Sequence, residues 1–286
     1  MHLNIALNQR KYNMEALFAI NTALMLESLK MLLILAAITW FVSLIIEDVS
    51  IVDYIWSLLT LLAVCTYAYL TTVDNPISLV MLLMVAIWAI RLTWFLVRRG
   101  RNKPEDRRYQ VIRKRNSPNF GYKSFYLIFV FQALVAWVLS TLFVPVFETA
   151  ADVKNPIPWS SWHSLGVVVW LFGFIYESVA DHQLHYFNSR VVKESSTLST
   201  GLWRYCRHPN YFGEFCIWWG WSIYAVPSGS LWIVLAPLIM TYLLLKFSGV
   251  GNMEQGITDR RPEYQAYIDS TNTFFPGRPR KKVTDG

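Results

Sequence analysis

Seven long apolar runs, separated by short polar stretches, dominate the chain of 286 residues. Several of them reach the roughly 20 residues that an α-helix needs to cross a bilayer. They lack the period-two alternation of membrane barrel strands, and backbone amides in lipid must be satisfied within their own segment. The pattern therefore predicts an all-α, polytopic transmembrane helix bundle of about seven spans. The predicted spans are 29–46, 50–70, 76–97, 124–144, 164–187, 211–226 and 230–248.

The ends of the chain differ from this apolar pattern. Residues 1–28 form an N-terminal segment that either lies at the interface or lengthens the first span. It lacks a clear small-residue cleavage site before a soluble domain, which argues against a secretory signal. Residues 29–277 form one transmembrane domain, and its part 252–276 is expected to hold a short cytoplasmic helix and a turn that folds back. Residues 278–286 are predicted to be a disordered basic tail.

Basic residues are distributed unevenly among the connections between the spans. They concentrate in 98–115, 190–207 and 260–282, whereas the connections of the opposite face carry Lys154 alone. Lys and Arg accumulate in short cytoplasmic loops, so the basic face is expected to be cytoplasmic, in a bacterial inner membrane or the endoplasmic reticulum. The net charge of +7 then reflects topology and attraction to anionic membrane lipids, and we expect no nucleic-acid partner.

Six ionisable side chains lie within the predicted spans or at their ends, all toward the basic face. Such groups cost about 2.5 to 3.5 kcal/mol each at mid-bilayer, so they normally face a polar cavity or a partner. For any one of them, snorkelling, helix capping or a simple ion pair is the alternative. Together they predict a cytoplasm-facing pocket. The six residues are Asp53, Arg91, Glu177, Asp181, Glu214 and Lys246.

Two of these groups, Glu177 and Asp181, are four residues apart and share one face of the fifth span with His185. The segment 201–214 lies just before the sixth span and is rich in polar residues. Its Pro209 disfavours helix at the preceding residue. The sixth helix is therefore predicted to open directly after this proline, with its backbone amides directed at the pocket. A helix N-terminus of this kind favours an anion.

The side chains of segment 201–214 suit the parts of a phosphate-bearing cofactor. Cationic side chains donate charge-assisted hydrogen bonds to phosphate or carboxylate. The cationic candidates are Arg204, Arg207 and His208. Asn210 and Glu214 offer acceptor atoms to ribose hydroxyls or a carboxamide. Aromatic side chains can flank a flat ring or belong to the aromatic belt at the membrane interface. They are Trp203, Tyr205 and Trp218.

Two common types of site find little support in the chain. Cys65, Cys206 and Cys216 have neither metal-ligand spacing nor an obvious disulfide partner, so we interpret them as packing residues and predict no metal site. The glycines at 249 and 251 lack the third glycine and the βαβ context of a Rossmann fingerprint. A dinucleotide would therefore have to be held by helices.

The stretch 202–214, Leu-Trp-Arg-Tyr-Cys-Arg-His-Pro-Asn-Tyr-Phe-Gly-Glu, resembles the signature of the steroid 5-alpha-reductase-like and sterol-reductase membrane superfamily. It resembles more closely the bacterial and eukaryotic branch whose domain has no known function. The similarity extends over residues 30–277. Other segments that resemble this branch are 52–57, 88–92, 105–109, 180–184 and 248–249.

The resemblance implies an oxidoreductase whose helix bundle holds NADPH in a cytoplasm-facing cavity and reduces an activated carbon–carbon double bond of a lipid or steroid-like enone. It implies dinucleotide binding by Asp181, Asn210 and Glu214. Glu177 departs from the asparagine that steroid reductases have four residues before the aspartate. The remaining candidates for cofactor binding are Arg204, Arg207, His208, Tyr211, Trp218, Tyr264 and Tyr267.

The implied chemistry is hydride transfer to the β-carbon of the enone, with its carbonyl polarised by an acid. Asp53 and Tyr54 are the candidate acids and Arg91 is an electrostatic helper. The N-terminal half matches the characterised steroid enzymes poorly, so no catalytic pair carries over from them.

Two other functions stay open at this point. A membrane methyltransferase that uses S-adenosylmethionine, resembling isoprenylcysteine carboxyl methyltransferases, would share the Arg-His-Pro-x-Tyr-x-Gly core. Against it, Asn210 and Glu214 are typical of the reductases. A lipid-binding protein without enzymatic activity is the third hypothesis, and it predicts no binding of a dinucleotide.

Overall fold

The computed structural model describes residues 20–71, 75–152, 154, 157–190, 197–247 and 264–280. Within these ranges the regular structure consists of helices and no strands, which confirms the all-α fold. Five helices are long and apolar enough to cross a membrane, so the chain is a polytopic membrane protein. They are α1 (Thr22–Ile46), α2 (Ile51–Thr71), α3 (Pro76–Gly100), α5 (Phe120–Leu142) and α7 (Ser161–Arg190).

The shorter helices lie between and after these five. The connection after α3 contains α4 (Arg107–Arg115), and α5 is followed by α6 (Val144–Ala151). Two apolar helices follow α7, namely α8 (Pro209–Ala225) and α9 (Leu231–Lys246). The last described helix is α10 (Tyr264–Ser270), which confirms the short helix predicted near the C-terminus.

The first helix begins earlier than the sequence predicts. The predicted start was residue 29, whereas α1 begins at Thr22, because the Asn21 side chain accepts hydrogen bonds from the backbone N–H groups of Ala23 and Leu24. Lys30 pairs with Glu27 one turn away at 2.7 Å, so these charges do not interrupt the helix. Residues 22–28 therefore extend the first span, and residues 1–19 lie outside the described part of the chain.

The sixth and seventh predicted spans form helices that are shorter than the other five. A helix of 17 residues such as α8 is about 26 Å long, slightly less than the roughly 30 Å of a bilayer core. It begins at Pro209, slightly before the predicted opening at Asn210 and Tyr211, and a short 3-10 turn, Val226–Ser228, follows its end. Gly229 then adopts a left-handed conformation with φ of 73° before α9 begins.

The chain divides into two compact units. Unit 1 comprises Met1–Ser160 and Ala225–Ala236, and unit 2 comprises Ser161–Tyr224 and Pro237–Gly286. Inside unit 1, the fully buried Tyr67 hydroxyl of α2 lies 3.0 Å from the Ser28 hydroxyl of α1 and 2.7 Å from the Ser140 hydroxyl of α5. Buried hydroxyls are costly unless hydrogen-bonded, so this cluster satisfies its own members while it joins three helices.

Glycines bring α7 and α8 of unit 2 into backbone contact. A Cβ atom on Gly166 would lie 2.5 Å from the backbone nitrogen of Tyr224, and one on Gly220 would lie 2.6 Å from that of Trp170. Small residues permit such close approach of helices in membranes. The glycines stand seven residues apart on each helix and face an antiparallel partner. The paired positions are 166 with 224, 170 with 220, 173 with 217, and 177 with 213.

We expect Gly220→Ala to separate these two helices and to lower the free energy of unfolding by about 1 to 3 kcal/mol, as overpacking does. The loss should appear although alanine is the better helix former. Thermal denaturation of the purified protein in detergent measures it. Val168→Ile is the matched control, because it adds one methyl to a side chain of α7 that is 63% exposed. Equal melting temperatures for Gly220→Ala and the wild type would contradict this packing.

Candidate functional site

Unit 2 contains three buried carboxylates, which we call the acidic patch (Glu177, Asp181 and Glu214). Glu177 and Asp181 lie on the buried face of α7, and Glu214 lies in the second turn of α8; their exposed fractions are 4%, 3% and 5%. A Cβ atom on Gly213 would lie 2.6 Å from the backbone nitrogen of Glu177, so the glycine packing sets the start of α8 against α7. The Glu214 carboxylate accepts a hydrogen bond from the indole of the fully buried Trp218 at 2.8 Å.

The start of α8 agrees with the local sequence signals. Pro209 is its first residue, and the carbonyl of His208 accepts the first intrahelical bond, from the Phe212 amide at 3.1 Å. The His208 ring is buried and stacks on the half-buried Tyr211 ring, with centroids 5.6 Å apart and planes 9° apart. Asn210 is also half-buried. The first turn of α8 thus carries polar groups that lie only a few positions from Glu214 in the sequence.

Arg207 has partners that the sequence did not predict. Its guanidinium donates to the carbonyls of Ile268 at 3.1 Å and Thr271 at 2.7 Å and to the hydroxyl of Thr273 at 2.9 Å. Its backbone N–H donates to the carbonyl of Asn272 at 2.9 Å. These groups belong to the last turn of α10 and the chain after it. Arg207 therefore holds the segment 264–280, which we call the C-terminal strap; its predicted contact with a cofactor phosphate stays a prediction.

The residues just before Arg207 bind the same strap. Three more hydrogen bonds join them: the Cys206 thiol to the Phe274 carbonyl, the Tyr267 hydroxyl to the Trp203 carbonyl, and the Gly277 amide to the Tyr205 carbonyl. Burial raises the pKa of Cys206 to about 11, so this thiol is protonated at neutral pH. The prediction of packing residues is confirmed for Cys206 and Cys216, which are buried, but it is wrong for Cys65, which is exposed. The loop 201–208 is thus joined to the C-terminal strap at four of its residues.

Aromatic packing fixes the strap to α8. The ring of Phe212 lies 6.3 Å from that of Phe274 and 6.1 Å from that of Phe275, and Phe215 lies within 6 Å of both. The prediction that this segment folds back after a short helix is confirmed. The amide of Arg280 donates to the Ser270 carbonyl at 2.8 Å, so the structured segment continues past the predicted boundary at 277.

The other cofactor candidates of unit 2 differ in exposure. Arg204 is exposed, whereas Tyr264 and Tyr267 are buried with ring centroids 5.4 Å apart. Trp203 is buried, and its indole donates to the Ala180 carbonyl at 3.1 Å. Since Ala180 stands between the two carboxylates of α7, Trp203 belongs to the packing around the acidic patch and not to an exposed aromatic belt.

Unit 1 carries the candidate acids. Asp53, in the first turn of α2, accepts hydrogen bonds from the Tyr109 hydroxyl at 2.6 Å and from Arg108 at 2.7 Å, so both of its oxygens contact α4. The hydroxyl of Tyr54 lies against Gly100, at the end of α3, and Arg91 is half-buried in α3. Burial, and then the charge of Asp53, raise the pKa of Tyr109. The motif 105–109 was visible in the sequence, but its contact with Asp53 was not.

The candidates therefore fall into two sets, with the acids in unit 1 and the cofactor residues in unit 2. Lys246 is exposed at the end of α9. A single pocket shared by all six ionisable residues stays a prediction. Among the described residues, no three His, Cys, Asp or Glu side chains are grouped as metal ligands. The glycines at 249 and 251 and residues 281–286 of the tail lie outside the described ranges.

Fold and site together define a polytopic α-helical membrane protein with a buried acidic patch. The family model described as "Protein of unknown function (DUF1295)" matches residues 39–271, and the chain belongs to this family. An uncharacterized protein of Schizosaccharomyces pombe is 26% identical over 287 residues, which cover 91% of this chain and 81% of the relative. No solved structure matches the chain. The predicted membership in a family of unknown function is thus confirmed.

In unit 1, Glu105 makes a pH-dependent contribution to stability. Burial raises its pKa, but hydrogen bonds from Arg113 and from the Val49 backbone outweigh this effect and hold the pKa below the usual value of a glutamate. The contribution is therefore present above the unfolded-state pKa and is lost as the pH falls through the lower folded-state value. We expect Glu105→Gln to lower stability by about 1 kcal/mol at neutral pH. Its deficit relative to the wild type should shrink as the pH falls.

Chemical unfolding at a series of pH values from neutral to about pH 3 measures this difference. The control is Glu27→Gln, which removes an exposed carboxylate from the Glu27–Lys30 pair. This control should follow the wild-type pH dependence closely. Parallel curves for Glu105→Gln and the wild type would show that the contact of Glu105 with Arg113 contributes nothing to folding.

Proposed function

We propose that the protein is an integral membrane oxidoreductase that uses NADPH to reduce an activated carbon–carbon double bond in a lipid or steroid-like enone. The observation that carries this proposal is the acidic patch of Glu177, Asp181 and Glu214, each at most 5% exposed. Ionisable side chains within membrane helices are costly to bury and commonly mark functional sites. A function that needs these acceptors explains their presence between two apolar helices.

The residues around the acidic patch suit a dinucleotide. Carboxylates accept hydrogen bonds from ribose hydroxyls, and the amide of Asn210 can both donate to and accept from a carboxamide. The phosphates would be repelled by the acidic patch, so they belong near Arg204, which is exposed, and the amides that open α8. When bound, NADPH supplies the hydride. Asp181, Asn210 and Glu214 would hold and orient it, as the resemblance to sterol reductases implies.

The candidate acids from the sequence lie in unit 1. Asp53 already accepts hydrogen bonds at both oxygens, from Tyr109 and Arg108. We therefore assign the proton donor to Tyr54, whose hydroxyl lies against Gly100, and leave to Asp53 the task of holding α4 in place. Arg91 would stabilise the negative charge that develops on the substrate carbonyl.

The proposal includes an orientation in the membrane. Within unit 2, exposed basic residues lie at the end of α7 (Arg190) and just before α8 (Arg204), and such residues accumulate on the cytoplasmic side. We therefore expect the cofactor site to open to the cytoplasm, in a bacterial inner membrane or the endoplasmic reticulum. A cytoplasmic opening would give the enzyme direct access to the soluble cofactor.

Glu214→Gln and Asn210→Ala test the assignment of the site. Loss of a hydrogen bond to a charged group costs about 1.5 to 3 kcal/mol, so Glu214→Gln should weaken NADPH binding by roughly tenfold or more. Asn210→Ala removes a neutral partner, worth about 0.5 to 1.5 kcal/mol, so it should weaken binding by roughly two- to tenfold. Insertion into the membrane should be unchanged. Fluorescence titration of the purified protein in detergent measures the affinity, and Asp269→Asn removes an exposed carboxylate of α10 as the matched control.

The same titration separates the three candidate functions. Binding of NADPH that is lost in Glu214→Gln and kept in Asp269→Asn supports the reductase. A response to S-adenosylmethionine in place of NADPH would support the methyltransferase, and a response to neither would support a lipid-binding protein. Unchanged NADPH affinity in both site variants would refute the assignment of the acidic patch.

A further inference from the structure

The C-terminal strap covers the loop that leads into α8. Of the six residues 203–208, four make hydrogen bonds to the strap: Trp203, Tyr205, Cys206 and Arg207. Arg207 makes most of them, because three of its guanidinium contacts and its backbone amide reach residues 268–273. The loop and the strap therefore form one substructure.

The contacts of Arg207 complete the end of α10. The last carbonyls of a helix lack intrahelical partners, and basic side chains near the C-terminus can bind them. The planar guanidinium has five donors in a fixed fork, which suits several acceptors at once. It reaches the Ile268 carbonyl in the last turn of α10 and the Thr271 carbonyl just after it. A buried side chain with these contacts is directed at the strap.

We infer that Arg207 is a positioning residue, which fastens the C-terminal strap over loop 201–208 and so fixes His208 and the first turn of α8 for the cofactor. This inference rests on the proposed function. It replaces a direct contact of Arg207 with phosphate by an indirect effect through the fold. His208 follows Arg207 directly, and its carbonyl accepts the first hydrogen bond of α8. Release of the strap would therefore loosen the start of the cofactor site.

Cys206 provides a measurement of the strap that needs no cofactor. The thiol is fully buried and donates to the Phe274 carbonyl at 2.8 Å, so an alkylating reagent reaches it only when the strap opens. Cys65→Ala and Cys216→Ala leave it as the single cysteine. In this background, alkylation by a maleimide should be at least about tenfold faster in Arg207→Gln than in its parent. Saturating NADPH should slow the labelling of the parent, because closure and binding are coupled.

NADPH affinity is then measured in four single variants and one double variant. Arg207→Gln and Tyr267→Phe should each weaken binding, and the double variant should lose less than the product of the two single effects, since both release the same strap. Arg207→Lys keeps the charge but not the fork, so it should restore neither slow labelling nor full affinity. Arg280→Gln removes an exposed charge of the strap and should change neither quantity.

Two results would overturn the inference while leaving the reductase intact. In the first, Arg207→Gln weakens NADPH binding without faster labelling of Cys206, and Arg207→Lys restores the affinity; Arg207 would then contact the phosphate itself. In the second, labelling accelerates but NADPH affinity is unchanged. A wild-type protein that binds no NADPH would overturn the proposed function instead, and the labelling rates would still report whether Arg207 fastens the strap.

Discussion

Close backbone packing between α7 and α8 is the constraint on which unit 2 depends. Gly166 and Gly220 leave no space for a side chain at their contacts, so the two helices can meet in one register alone. In that register Gly213 lies against Glu177, and the residue after Gly213 carries the third carboxylate. The packing of small residues thus determines where charged residues are buried, and the chemistry of the site follows from the steric fit.

Charged side chains have a second role in both units, where they attach polar segments to the ends of apolar helices. In unit 1, Asp53 of α2 binds Arg108 and Tyr109 of α4. In unit 2, Arg207 binds the C-terminal strap, which contains α10. Each contact satisfies several donors or acceptors at once, which offsets the cost of removing charge from water. Connections that would otherwise be flexible are held in a defined conformation.

The sequence predicted what depends on local patterns, namely the apolar helices, the start of α8 to within two residues and the helix that contains Tyr264 and Tyr267. The predicted start of α1 was too late, because the apolar pattern does not show that Asn21 caps the helix. The prediction also missed the partners of Arg207 because these lie more than 60 positions away in the chain, and no local pattern reveals such a contact. The seven-residue spacing of the glycines was a readable signal for the packing of α7 on α8.

The glycine register also restricts how the length of this chain can change. One residue inserted into α7 between Gly173 and Glu177 would rotate everything beyond it by about 100° around the helix axis. Both carboxylates of α7 would then leave the face that meets α8. Insertions beyond Arg190 leave that face untouched. Natural variation in length is therefore expected in the connections and not within this helix.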